Sequence, residues 1–113
     1  MIPMMRIPFL NKLNNRKTVS VVRLNGLIAS GARGGISDSA LAPIFEKAFR
    51  KGNPSAVAFI INSPGGSPVQ SSLVGDRIKR LSEETEVPTI AFVEDVAASG
   101  GYWIASAANE IYA

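Results

Sequence analysis

The sequence contains no cysteine and no histidine among its 113 residues. Without cysteine, disulfide bonds and thiolate metal sites are excluded within the chain. Without histidine, the chain cannot form a Ser-His-Asp or Cys-His catalytic group by itself, nor an imidazole metal site. A serine nucleophile in this sequence therefore needs a lysine or another base that is not histidine.

Long apolar runs are also absent. None approaches the roughly 18 residues that a membrane-spanning helix requires. In residues 1–17 the charges follow the apolar residues, which is the reverse of a signal peptide. The basic residues are few and accompany no nucleic-acid-binding motif. We therefore predict no transmembrane segment, no nucleic-acid partner and no cofactor or metal, although 46% apolar residues suffice for the core of one small domain.

Positive charge is concentrated at the N-terminus. Residues 1–33 carry six basic residues and no acidic one, whereas the rest of the chain carries six basic and nine acidic residues. We interpret residues 1–17 as a basic, loosely ordered leader and residues 18–113 as the folded domain. A basic segment mixed with apolar side chains is also compatible with an anionic membrane surface, so association with a membrane stays open.

The apolar pattern predicts an α/β fold with a parallel sheet and flanking helices. Continuous apolar runs such as AVAFIIN are typical of strands buried on both faces. Alternation of these runs with helical periodicity favours right-handed crossovers between parallel strands. The predicted strands are Thr18–Leu24, Ala56–Asn62, Thr89–Val93 and Glu110–Ala113, and the predicted helices start near Ser39 and span Val69–Leu81 and Gly100–Ala108.

Helical spacing also predicts which side chains face the core. In the first helix, where Pro43 is expected near the first turn, the predicted buried face is Leu41, Ile44, Phe45, Ala48 and Phe49. In the second helix it is Leu73, Val74, Ile78 and Leu81. Glu94–Ala98 is predicted to be a loop, and the chain stops within a strand-like run, from which we expect a truncated domain.

Two glycine-rich loops follow predicted buried strands. Pro64-Gly65-Gly66 predicts a tight turn whose backbone N–H groups face a ligand without obstruction. It lacks the Lys-Ser/Thr ending of a phosphate-binding loop and the spacing of a dinucleotide site, and a purely structural turn is the alternative. Because sites form at the carboxyl ends of parallel strands, we expect this loop and the one around Ser99 to lie side by side.

Ser99 stands between two alanines and two glycines, just before a helix-prone run. A serine at a helix N-terminus lies near free N–H groups and a positive field, which stabilise the oxyanion of acyl transfer. Serine is also a good helix N-cap, so a structural role is the competing interpretation. The surrounding sequence is not the G-x-S-x-G elbow of α/β-hydrolases.

The pattern INSPGGSP, followed by TIAFVEDVAASGGYWIASAANEIYA, resembles the S49 peptidases, the signal peptide peptidase A family. The leading VVRLNGLI also resembles the first core strand of that family, so the likeness runs from about Val19 to Ala113. It implies the Clp protease/crotonase fold, a spiral of ββα units. It further implies Ser99 as nucleophile, the backbone N–H groups of Gly65 and Gly100 as oxyanion hole, and Gly66 and Ser67 beside an extended peptide substrate.

The resemblance implies a serine endopeptidase that cleaves hydrophobic peptides, such as remnants of signal peptides, through an acyl-enzyme. The general base of the family is a lysine that, in its single-domain members, lies some tens of residues beyond the serine, and this chain ends fourteen residues after Ser99. We assign no lysine, and we expect the isolated chain to lack its base. The five lysines all precede Ser99: Lys12, Lys17, Lys47, Lys51 and Lys79.

The same resemblance implies a peptide substrate and a homo-oligomeric ring, in which some members share a site between subunits. It implies a location in the cytoplasm or at the periphery of the bacterial inner membrane. Membrane-anchored members carry an N-terminal span that this chain does not show.

Three other interpretations stay open. A Clp protease subunit shares the N-S-P-G-G turn but needs a histidine after its serine. A crotonase-like acyl-CoA enzyme would use the same oxyanion hole for a thioester enolate and leave Ser99 without a role. The chain could also be an inactive fragment that serves only in assembly.

Overall fold

A computed structural model describes residues 18–31, 35–97 and 100–113, with the backbone alone for 95–97. The proposed leader, residues 1–17, lies outside the described residues. The strands are β1 (Val19–Asn25), β2 (Ala56–Ser63), β3 (Thr89–Ala97) and β4 (Glu110–Tyr112). The helices are α1 (Asp38–Arg50), α2 (Pro68–Thr85) and α3 (Gly100–Ala105).

The four strands form one parallel sheet in the order β1-β2-β3-β4. Successive strands are joined by crossovers that each contain a helix, as the alternation of apolar runs predicts. The predicted parallel α/β architecture is therefore confirmed. Its consequence for function is that the residues following β1, β2 and β3 emerge at the same edge of the sheet.

The core lies between the sheet and the helices α1 and α2. Phe59 of β2 is fully buried and meets Phe45 edge-on, with ring centroids 5.4 Å apart. Phe49 packs on the same ring at 6.2 Å. These three aromatic side chains anchor α1 to the centre of the sheet and fix the position of the helix N-terminus at the opposite end.

Two predictions of buried helix residues are wrong. Ile44 is 49% exposed and Leu73 is 43% exposed. Leu41, Phe45 and Phe49 form a narrow stripe toward the sheet, and Ile44 projects past β1, the edge strand, where no described element covers it. On α2 Leu73 lies outside the buried stripe, which is Ser71, Val74, Gly75, Ile78 and Leu81.

Several boundaries also differ from the sequence prediction: α2 continues to Thr85 rather than ending at Leu81, and α3 ends at Ala105 rather than Ala108. β3 continues to Ala97, through the stretch from Glu94 for which the sequence predicts a loop. A register shift between Ile61 and Ser63 lets β2 keep pairing with this extension, since a bulge absorbs the irregularity. Pro43 is the sixth residue of α1 rather than part of its first turn, so one intrahelical hydrogen bond is missing there.

Candidate active site

β2 and β3 end beside each other at the carboxyl edge of the sheet. Ser63, the last residue of β2, is the register partner of Ala97, the last residue of β3. The Pro64–Ser67 loop therefore starts from a position paired with the end of β3. This register places Ser63 and Ala97, the last described residues before the two predicted loops, side by side.

Ser67 ends the first loop by capping α2. Its Oγ accepts a hydrogen bond from Gln70 N at 3.1 Å, and Pro68 occupies the first helical position. Ser71 donates its Oγ hydrogen to Ser67 O at 2.8 Å. Serine as cap followed by proline is a combination that strongly favours the start of a helix, so the end of the loop is fixed by local chemistry.

Ile28, three residues after β1, holds the Pro64–Ser67 loop through two backbone hydrogen bonds, an arrangement called the clamp below. Ile28 N donates to Gly65 O at 3.0 Å, and Ser67 N donates to Ile28 O at 2.8 Å. Gly66, between them, has φ +145°, and a Cβ built on it would overlap the carbonyl of Ile28. Only glycine fits this position, because both the backbone conformation and the space exclude a side chain.

The clamp leaves one backbone unit facing away from Ile28. The N–H and C=O of Gly66 have no hydrogen-bond partner among the described residues. Gly66 is also exposed. This unit is therefore available to an extended chain lying along the loop.

The Gly65 N–H is differently placed. It donates to the Oγ of Ser63 at 3.1 Å, and both residues are buried. This short side-chain bond closes the turn after β2. The N–H that the S49 resemblance assigns to an oxyanion hole therefore has an internal partner in this structure.

Gly100 is the first residue of α3 and packs against α2, the helix that follows the Pro64–Ser67 loop. A Cβ at Gly100 would overlap Ser71 Oγ and would lie 3.0 Å from Ile28 Cδ1. Gly100 and Gly66 thus share Ile28 as a neighbour. The structure brings together the predicted residues Gly65, Gly66, Ser67 and Gly100.

Ser99 itself lies outside the described residues, as does Ala98. Its chain neighbours Ala97 and Gly100 are described, and they bracket its position between the end of β3 and the start of α3. The N-terminus of α3 begins at the residue that immediately follows the serine. Its role as nucleophile therefore stays a prediction.

The strongest electrostatic pair stands beside this edge and links the two large helices. Arg77 of α2 donates to both carboxylate oxygens of Asp38 in α1, at 2.7 and 3.0 Å. Asp38 N also donates to Gln70 Oε1 at 2.8 Å. The hydrogen bond from Arg77 holds the pKa of Asp38 below its usual value, and Asp38 in turn raises the pKa of Arg77. The network holds the N-terminal turn of α1 against the first turn and the middle of α2.

Sequence reasoning missed three residues that shape the site: Ile28, Ser63 and Ser71. Ile28 entered the sequence analysis only as the last residue of the run VVRLNGLI. Ser71 follows the cap Ser67 by four residues, and that spacing on a helix was the available signal. In the described part of the chain, no group of three or more acidic residues is arranged to hold a metal ion.

Comparison with known proteins decides the family. A model of peptidase family S49 matches residues 82–113, which include Ser99 and α3. Over 105 residues, or 87% of this chain, the sequence is 39% identical to the chloroplastic serine protease SPPA of Arabidopsis thaliana. The chain belongs to peptidase family S49. The resemblance seen in the sequence motifs is thereby confirmed.

A second relative bears a different name. The S49 chain is 51% identical over 98 residues to a Brucella melitensis protein called Na(+)/H(+) antiporter NhaA. The match covers 84% of this chain and only 13% of the Brucella protein, so the transporter name belongs to that longer protein. Within residues 18–31, 35–97 and 100–113, no helix has the length and hydropathy of a membrane span.

The fold has a solved counterpart. A mutant of the 1510-N membrane-bound stomatin-specific protease superposes with a TM-score of 0.61 at 22% identity. The superposition covers 83% of this chain and 42% of that protease chain. It supports the Clp protease-like fold expected for an S49 chain. This chain spans 13–15% of the length of the two relatives above.

Proposed function

We propose that this S49 chain carries the nucleophile and oxyanion hole of a serine endopeptidase that cleaves hydrophobic peptides, such as remnants of signal peptides. The observation that carries the proposal is the pairing of Ser63 with Ala97, the residues at the ends of the two strands that precede the glycine-rich segments. The common contact of Gly66 and Gly100 with Ile28 supports it. Family membership supplies the reaction class.

In the proposed reaction, the Ser99 hydroxyl attacks the carbonyl carbon of the scissile peptide bond. A neutral lysine amine from outside this chain takes the hydroxyl proton as the Oγ–C bond forms. The C–N bond then breaks, and the departing amine takes that proton. Water hydrolyses the acyl-enzyme by the same sequence of steps and restores Ser99.

The oxyanion would be held by the backbone N–H groups of Gly65 and Gly100. Each such donor is worth about 3–4 kcal/mol in comparable enzymes. Because Gly65 N donates to Ser63 Oγ in this structure, we propose that it exchanges that partner for the oxyanion during acylation. The N–H of Gly66 has no partner among the described residues and lies one residue further along the same turn.

The substrate would lie as an extended strand beside Gly66 and Ser67. The outward N–H and C=O of Gly66 supply the backbone hydrogen bonds of such a strand. Tyr102 and Trp103 of α3 are 59% and 48% exposed, close in the chain to Ser99. Exposed aromatic rings at this place favour apolar substrate side chains.

The base is the part of the proposal that rests on residues outside this chain. The described lysines Lys47, Lys51 and Lys79 are exposed helix or helix-end residues, and all three precede Ser99 in the chain. We propose that the lysine comes from a further segment or from a neighbouring subunit of a homo-oligomeric ring. A location at the inner-membrane periphery would place such an enzyme near signal-peptide remnants.

The test uses the whole protein in its native assembly and a fluorogenic hydrophobic peptide. Ser99→Ala should abolish turnover, and intact-mass spectra after incubation with a hydrophobic peptide ester should lose the acyl adduct. Ser106→Ala is the matched control, because Ser106 is exposed and its Oγ donates only to Trp103 O within its own turn. That variant should retain both turnover and adduct.

Turnover or an acyl adduct in the Ser99→Ala variant would overturn the assignment of the nucleophile. Thermal stabilisation by coenzyme A with no peptide turnover in the wild type would favour an acyl-CoA enzyme instead. Circular dichroism of the Ser99→Ala variant separates loss of chemistry from loss of fold.

A further inference from the structure

We propose that the outer edge of β1 and the adjoining surface of α1 bind an extended acidic peptide segment as an added strand. The binding surface, called the β1 groove below, has a volume of about 320 Å³. It is lined by Ser20, Val21, Val22, Ile44, Lys47, Ala48 and Lys51. The inference concerns binding alone and stands apart from the proposed peptidase reaction.

The first observation is an open strand edge. Among the described residues β1 pairs only with β2. Thr18 O and Gly26 N both bond toward the β2 side, and backbone groups in a strand alternate in direction. The N–H and C=O groups of Val19, Val21 and Arg23 therefore point away from the sheet, where they can pair with another strand.

The second observation is an apolar helix surface that the sequence pattern assigns to the core. Ile44 has the spacing of a buried residue but is 49% exposed beside this edge. Ser20 Oγ donates to Ala48 O at 2.6 Å, which holds α1 over the inner side of β1. A strand added beside β1 would place alternate side chains under Ile44 and Ala48 and would extend the core by one strand.

The third observation is charge. Lys47 and Lys51 lie one helical turn apart on the groove wall. Neither has an ion-pair partner among the described residues, whereas Arg50 on the same helix pairs with Glu46 and Glu84. Two like charges at this spacing repel each other, and a carboxylate between them would relieve the repulsion.

Charge also selects among possible occupants. A second copy would bring its own Lys47 and Lys51 to a symmetric β1–β1 contact. Residues 1–17 contain four basic residues and no acidic one, so they would add to the same positive field. An extended acidic segment of a partner protein therefore suits the groove best.

The groove lies away from the candidate active site. It uses the first half of β1 and the last turns of α1, whereas the loops at Gly66 and Gly100 lie beyond the other end of β1. Binding in the groove and peptide cleavage can therefore be measured separately.

The experiment measures binding of fluorescent acetyl-(Val-Glu)₃-amide to the whole protein by fluorescence anisotropy at low salt. We expect saturable binding that Lys47→Glu and Lys51→Glu each weaken at least about fivefold. Lys79→Glu makes the same charge change on the exposed surface of α2 and should alter affinity less than about twofold. The matched peptide acetyl-(Val-Lys)₃-amide should not bind.

The strand geometry is tested by Val21→Pro. The Val21 N–H points outward, so proline removes a donor from the edge without removing one from the β1–β2 ladder. We expect an unchanged circular dichroism spectrum and at least about tenfold weaker peptide binding. A glutamate peptide with alternate N-methylated amides should lose affinity similarly, and this second measurement does not depend on the folding of the variant.

Absence of saturable binding up to about 1 mM peptide would overturn the proposal. Equal weakening by Lys79→Glu, or equal binding of the lysine peptide or the N-methylated peptide, would also overturn it. Concentration-dependent dimerisation that Val21→Pro abolishes would assign the edge to a second copy instead. The peptide-binding proposal does not depend on the proposed nucleophile. If Ser99→Ala left peptide cleavage intact, the measured binding to the β1 groove would keep its meaning.

Discussion

The carbonyl of Ile28 occupies the space in which any residue other than glycine at position 66 would place its Cβ. The contact joins the segment after β1 to the loop after β2. Two hydrogen bonds flank Gly66, one from Ile28 N to Gly65 O and one from Ser67 N to Ile28 O. Together they form a short stretch of parallel pairing between the two segments. The loop at the candidate site is therefore held by backbone geometry and not by side-chain packing.

Gly66→Ala should lower the free energy of unfolding by about 3 kcal/mol or more, because the strained backbone and the overlap with Ile28 act together. Urea denaturation followed by circular dichroism measures this. Gly52→Ala is the control: Gly52 has φ +74°, but a Cβ placed on it would have nothing within 4 Å. It should cost only about 1 kcal/mol. Equal losses in the two variants would contradict the overlap with Ile28.

Gly100→Ala should destabilise the start of α3, since the new Cβ overlaps Ser71 Oγ. Adding Ser71→Ala removes that oxygen and should recover part of the loss. A double-mutant cycle measured by urea unfolding should show a favourable coupling of about 1 kcal/mol or more. Strict additivity of the two substitutions would show that Gly100 is not constrained by Ser71.

Ser63→Ala should lower the free energy of unfolding by about 1–2 kcal/mol, because the buried Gly65 N–H loses its acceptor. Amide hydrogen exchange of Gly65 should accelerate in the same variant. Ser72→Ala on α2 is the control, since Ser72 has no side-chain hydrogen bond among the described residues. Unchanged exchange at Gly65 in the Ser63→Ala variant would refute the role of Ser63.

Asp38→Asn should lower the free energy of unfolding by about 2 kcal/mol at pH 7, because it removes the charge that Arg77 binds through two hydrogen bonds. The pKa of Asp38 is lower in the folded protein than in the unfolded chain. The stability that this carboxylate contributes is therefore full above the unfolded pKa of about 3.9 and is lost as the pH falls through the lower folded value.

Urea titrations between about pH 2 and 7 check this pH dependence. The difference between wild type and Asp38→Asn should be constant above about pH 5 and should shrink below about pH 4. Glu46→Gln, which removes the partner of Arg50 in an exposed ion pair, should produce a much smaller loss at pH 7. A wild-type advantage that persists unchanged at the lowest pH would contradict an ionised Asp38 as its source.

Much of the fold could be predicted because apolar runs and turn residues act locally. The continuous apolar run AVAFIIN is typical of a strand buried on both faces of a parallel sheet, and it forms the buried strand β2. Ser67 caps the N-terminus of α2 and Pro68 favours its first turn, so this helix start depends on neighbouring residues alone. The lengths of β3, α2 and α3 were predicted less well. Glu94 has the character of a loop residue, but strand pairing with β2 carries β3 through it to Ala97.

By itself the sequence determined the order of elements, the two glycine-rich loops and, through its motifs, membership of the S49 family. Local periodicity and turn chemistry are sufficient for these features, because they depend on residues close together in the chain. Only the tertiary structure decided that Ile28 clamps Gly66, that Ser63 Oγ holds the Gly65 N–H, and that Ile44 faces outward beside an open strand edge. These features depend on β1 being the edge strand of the sheet and on contacts between segments that are distant in the chain. Both are settled only when the whole sheet has formed.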